Sequence, residues 1–147
     1  MDSSTVKWLS RLMAAASVTS WLETHGTLID KKRKLVSPPH IRVNKLQEQV
    51  AQAMRICSER GIPCRLIGLK ARQVGLSTIS IAAAYHQCRL RPTSFLLIGD
   101  EYEKSVKNLL EMFNRFAKHD QAEWGNAYHQ PSGKFTSDSQ IVTETAN

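Results

Sequence analysis

The chain has 147 residues, 41% hydrophobic and 22% charged, a length that suits one domain and a composition that excludes disorder, collagen and coiled coil as descriptions of the whole. Twenty Lys and Arg against thirteen Asp and Glu give a net charge of +7; such a surface suits polyanions such as nucleic acids or nucleotides, although small basic proteins without that role share it. No apolar run reaches the ~18 residues of a membrane span, the N-terminus carries charge and serines through its apolar stretch and reads as no signal peptide, and Cys57, Cys64 and Cys88 lack CxxC spacing, as expected of free thiols in a cytosolic protein.

In chain order, Ser3 and Ser4 are placed to cap a first helix whose apolar positions are Trp8, Leu9, Leu12, Met13 and Ala16, with Gly26 at its end. Residues 26–43 read as an extended linker with the basic run Lys31-Lys32-Arg33-Lys34 and the pair Pro38-Pro39. Four cations in a loop need no partner, so a solvated linker competes there with a DNA contact or a localisation tag. A second helix begins at Asn44, carries the stripe Leu46, Val50, Met54 and Cys57, and closes at Gly61 and Pro63.

The period then changes. Residues 64–69 are a short apolar run with the look of a buried strand, leading directly into Lys70-Ala71-Arg72-Gln73-Val74-Gly75-Leu76-Ser77-Thr78. Residues 77–91 follow as a helix apolar on most sides, expected to pack on a sheet. Residues 94–98 form a second buried strand. Asp100 and Glu103 make a capping-box pair for a third helix, with Val106, Leu109, Leu110, Phe113 and Phe116 inward. This βαβα order demands a mostly parallel sheet. Residues 119–134 read as a polar loop, and 134–137 with 140–145 as a hairpin across Asp138-Ser139.

The segment 70–78 carries the chemistry. A phosphate-binding loop of the form GxxxxGK(S/T) between strand and helix uses glycines to aim backbone N–H groups at phosphate oxygens, a lysine to neutralise them and a hydroxyl on Mg²⁺. Gly75 and Ser77 keep that spacing, while Lys70 replaces the first glycine and Leu76 the lysine. A loop that wraps phosphates faces them from both ends, so the lysine at position 70 reaches the same charge. Arg72 adds a bidentate grip, and the helix N-terminus adds its positive dipole end.

These residues resemble the variant phosphate loop of viral terminase large subunits, the ATPases of tailed-phage DNA-packaging motors. The resemblance covers about residues 35–147. Val43-Asn44-Lys45-Leu46-Gln47 is similar to the family's segment before the loop, where a glutamine reads the adenine; residues 95–113 resemble the strand and helix after the loop; and residues 140–146 look like a strand preceding its Arg/Gly-rich region. It implies a P-loop NTPase-type α/β fold, a parallel sheet with flanking helices, incomplete here and preceded by an N-terminal helix. The domains would be 1–43, helix and basic linker, and 44–147, a partial ATPase domain. ATP and Mg²⁺ are the implied cofactors, held by Gln47, Lys70, Ala71, Arg72, Gln73, Val74, Gly75, Leu76, Ser77 and Thr78, with Ser77 on the metal, Thr78 as a candidate for the α-phosphate and Arg72 as a candidate arginine finger in cis. The implied partners are double-stranded DNA, a portal and a small terminase subunit, in a homo-oligomeric ring in the host cytoplasm, encoded by a phage or prophage, with no membrane.

Gln47 also has a plainer role, because Asn44 as N-cap with Gln47 three residues on fits a capping box. An apolar strand ending in Asp-Glu, the second ATPase motif, does not stand in these residues, and neither does the family's acidic nuclease cluster; Asp100-Glu101 comes nearest but follows the wrong strand. The expectation is therefore a chain cut before its catalytic half, without ATPase activity and prone to associate, its loop helix left partly in water by so small a sheet. Two other readings stay open: another P-loop NTPase such as a helicase or nucleotide kinase, disfavoured by Leu76, and a non-catalytic basic interaction module or decayed remnant. The five histidines show no HxxxH or HExxH spacing and are not expected to bind metal. Cys88 reads as a small core residue, and Trp8 and Trp21 as packing anchors or as a docking surface.

Overall fold

The computed structural model describes residues 16–29, 34–38, 40–66, 75–90, 92–99, 101, 105–124, 128–129, 134–135 and 139–145. Lys70 to Val74, the first half of the expected N-terminal helix, residues 31–33, Asp100 and Glu103 lie outside the described residues.

The expected first helix is divided. Ser17 adopts an extended conformation (φ −147°, ψ 133°), and α1 begins after it at Val18–His25, ending as expected at Gly26, whose N–H donates to Leu22 O at 3.0 Å. The expected linker is folded back onto the protein: β1 (Leu28–Ile29) and β2 (Leu35–Val36) pair antiparallel. Beyond them Ile41 is buried, and Val43 N donates to Glu23 Oε1 at 2.8 Å, fixing the approach to the next helix against α1.

α2 (Lys45–Glu59) starts at the capping box read from the sequence, with Asn44 Oδ1 accepting from Gln47 N and Gln47 Oε1 accepting from Asn44 N, both at 3.0 Å. Its end is a Schellman motif. Gly61, at φ +65°, donates to Ser58 O at 3.3 Å, and Ile62 N donates to Cys57 O at 3.0 Å. Residues 62–66 follow without regular structure and exposed. The strand expected at 64–69 is thus absent over 64–66, and residues 67–69 lie outside the described residues; Pro63, without an N–H, is a poor start for a ladder.

α3 (Leu76–Leu90) is the central element, burying Ile79, Ile81, Ala82, Ala83, Ala84, Tyr85, His86 and Cys88. The expectation that much of it faces water is corrected, because α1, α2 and α4 pack around it as well as the sheet. Trp21 of α1 is fully buried, a packing anchor rather than a docking surface. Its ring lies 5.2 Å from Tyr85 and 5.2 Å from Phe116, the latter edge-to-face. Such pairs add ~0.5–1.5 kcal/mol each beyond the area they bury.

β3 (Ser94–Gly99) matches the expected strand. α4 (Lys107–Trp124) buries Phe113, Phe116 and Ala117, with Val106 buried in the wide turn before it, as its periodicity requires. In that turn the Glu101 carbonyl accepts from both Ser105 N and Val106 N. The helix continues to Trp124, so the expected polar loop begins later than 119. β4 (Tyr128–His129), β5 (Lys134–Phe135) and β6 (Gln140–Thr145) complete a four-stranded sheet of order β3-β6-β5-β4. β3 and β6 are parallel, from Ser94 opposite Gln140 to Gly99 opposite Thr145, and β5 pairs antiparallel with both β4 and β6. The fold is a mixed α/β domain whose parallel unit among the described residues is β3-α4-β6; of the strand–loop–helix unit expected from 64–91, the helix is present and residues 67–74 lie outside the described residues. The strand 94–98 is buried on one face only: Phe95 and Leu97 turn to the core, whereas Leu96 (50%) and Ile98 (57%) are exposed beside Val142.

Candidate nucleotide site

Gly75 stands immediately before α3 at φ +77°, and its carbonyl accepts the N–H of Ile79 at 3.1 Å, the first bond of the helix. The same oxygen accepts from Gln47 Nε2 at 3.0 Å. A residue on the first turn of α2 and the glycine closing the segment expected to bind phosphate, 28 positions apart, are thereby joined. The fit is close, for a Cβ at Gly75 would stand 2.5 Å from Gln47 Nε2. Glycine therefore answers two demands here, a left-handed backbone and room for the amide.

Gln47 is buried, with its side-chain oxygen on Asn44 N and its nitrogen on Gly75 O. The capping role read from the sequence is present, and the amide does a second job in the same rotamer. Leu76 is half-buried and packs against the core; Ser77 is exposed on the first turn of α3; Thr78 is half-buried. The first turn of a helix offers unpaired N–H groups and a partial positive charge, which suits a phosphate. Lys70, Ala71, Arg72, Gln73 and Val74 fall outside the described residues, so the Gln47–Gly75 contact and the opening of α3 are the described part of the site.

A cavity of about 350 Å³ lies elsewhere, between the start of α1, α2 and the C-terminal half of α3, lined among others by Glu48, Gln52, Arg55, His86 and Gln87. His86 is ten positions beyond Leu76, ~15 Å along the helix. Of the residues expected to hold nucleotide, none of the described ones, Gln47 and Gly75 to Thr78, lines it. Nothing in the sequence pointed to this cavity, because its lining is split among elements whose packing only the tertiary structure brings together.

The chain matches no protein-family model, no curated protein and no solved structure. Among the described residues no group of three or more His, Cys, Asp or Glu is arranged to hold a metal ion, and no helix is long and apolar enough to cross a membrane.

Buried polar contacts also tie α3 to the sheet. Cys88 Sγ donates to Thr93 O at 3.6 Å, Thr93 N donates to Ser139 Oγ at 2.8 Å, and Gln140 N donates to Thr93 O at 3.2 Å. Burial raises the Cys88 thiol to about 11, with a hydrogen bond from Ser139 acting in the opposite direction. The thiol is neutral at physiological pH and serves packing, as expected.

Proposed function

We propose that this chain is the ATP-binding portion of a DNA-packaging motor of the terminase large-subunit type. The observation that carries the reading is the hydrogen bond between Gln47 and Gly75. A group that reads adenine and a loop that grips phosphates must lie within the length of one nucleotide, and sequence separation alone does not bring them there. The left-handed glycine at the helix start and the exposed Ser77 hydroxyl fit a phosphate-bound Mg²⁺. The ion would neutralise phosphate charge, while Lys70 and Arg72 would supply the cations the usual loop lysine provides.

In the same reading the basic surface meets double-stranded DNA, and the partners are a portal, a small terminase subunit and further copies in a ring, in the cytoplasm of the host. The 147 residues contain no apolar strand ending in Asp-Glu, so the chain binds nucleotide without turning it over. One observation favours a second reading, a non-catalytic basic module: both ends of the Gln47 amide are already engaged within the protein. Titration calorimetry with Mg·ATP separates the two. The proposal expects binding that Lys70→Ala weakens about 10- to 150-fold, the loss of one charge-assisted contact, while Leu76→Ala leaves it nearly intact. Binding absent from the wild type, or equal in Lys70→Ala, favours the module.

A further inference from the structure

The cavity between the start of α1, α2 and the C-terminal half of α3 has a chemistry of its own. Its volume of about 350 Å³ is within the range of sites that hold small molecules. It opens where two helices meet, because Ala51 of α2 and Ala83 of α3 line it with methyl groups where larger side chains would close it. One face of α2 forms a wall, with Glu48, Gln52, Arg55 and Glu59 recurring at helical spacing.

The polar groups of that wall are not equivalent. Arg55 and Glu59 satisfy each other, with Arg55 Nη1 on Glu59 Oε1 at 2.5 Å. Glu48 and Gln52, four positions apart and therefore neighbours on the helix surface, have no hydrogen-bond or ion-pair partner for their side chains among the described residues. We infer that this cavity binds a small organic amine, a primary ammonium carried on a compact apolar body.

The lining selects that class. An ionised carboxylate only accepts hydrogen bonds and an ammonium only donates them, so Glu48 takes the charged head and the Gln52 side-chain oxygen takes a second of its three donors. An anionic ligand would meet the same carboxylate with the Arg55 charge already engaged by Glu59. Val18, Met54 and Leu90 offer apolar contact to the body of the ligand, and Leu90, 48% exposed, gains cover from water. His86 lines the same space at 7% exposure, its ring held 6.3 Å from that of Trp21, so this part of the wall is fixed before a ligand arrives. The inference does not rest on nucleotide binding.

The test is an NMR titration of the isotope-labelled full chain with phenethylamine, and with phenethyl alcohol, which has the same shape without the charge. The amine should give saturable shifts in the Gln52 side-chain amide and the backbone amides of Ala83 and Gln87, with a Kd of ~1–10 mM, and nuclear Overhauser contacts from its ring to the Met54 methyl. The alcohol should bind about fivefold more weakly, and Glu48→Gln should bring the amine down to the level of the alcohol. Glu111→Gln, at an exposed position on α4 away from the cavity, should change nothing. Equal affinity for amine and alcohol, an amine affinity unchanged by Glu48→Gln, no contact to Met54, or no saturable shift would overturn the inference.

Discussion

Gly75 and Gly61 form a controlled pair for testing the contact at the candidate site. Both are left-handed, at φ +77° and +65°, so alanine at either position carries a strain of ~1–2 kcal/mol. Their surroundings differ: a Cβ at Gly61 meets nothing within 4 Å, whereas one at Gly75 would stand 2.5 Å from Gln47 Nε2. The tip of a glutamine can move, but this one would have to release its bonds to Asn44 N and Gly75 O, at ~0.5–1.5 kcal/mol each. Gly75→Ala should therefore cost ~2–5 kcal/mol and Gly61→Ala only ~1–2 kcal/mol. Urea unfolding followed by circular dichroism measures both, and an unchanged slope keeps the comparison valid. Gln47→Ala removes the obstacle, so in the double variant the cost of alanine at 75 should fall to that at 61, a coupling of ~1–3 kcal/mol. Equal losses at the two glycines, or strict additivity with Gln47→Ala, would refute the contact.

Two further outcomes follow from the packing. The Cys88 thiol, raised by burial to about 11 from 9.0, contributes stability that is complete below pH 9 and is lost as pH rises towards 11, ~3 kcal/mol for a shift of that size; unfolding curves of wild type and Cys88→Ala across that window should converge, and parallel curves would contradict the assignment. The open face of β3 and β6, with Leu96, Ile98 and Val142 exposed, should drive self-association; sedimentation velocity should show Leu96→Lys/Ile98→Lys less associated than wild type, and no difference would clear this face of that role.

The helices were legible because their signals are local. The Asn44–Gln47 capping box, the left-handed Gly61 and the Val106–Phe113–Phe116 stripe each lie within a few residues of chain, and each stands where periodicity put it. What was not legible depends on distant partners. Apolar residues at 64–66 look like a strand, but a strand exists only where a neighbour takes its hydrogen bonds, and here those residues have no ladder. The helix at 77–91, apolar on most sides, implied a covering layer without saying that α1, through Trp21, supplies part of it. The parallel pairing of β3 with β6 likewise needed α4 as its crossover, although both strands were visible separately. At the candidate site, spacing singled out Gln47 and Gly75 for separate reasons, and only the fold joins them in one hydrogen bond.

The most direct test of that junction as a nucleotide site is an amide-resolved NMR titration of the labelled chain with Mg·ATP. The account predicts saturable shifts in the side-chain amide of Gln47 and the backbone amides of Gly75, Leu76, Ser77 and Thr78, absent when ATP is replaced by an uncharged nucleoside of the same base. Shifts confined to the cavity around Arg55 and His86, or no shifts at millimolar Mg·ATP, would contradict it.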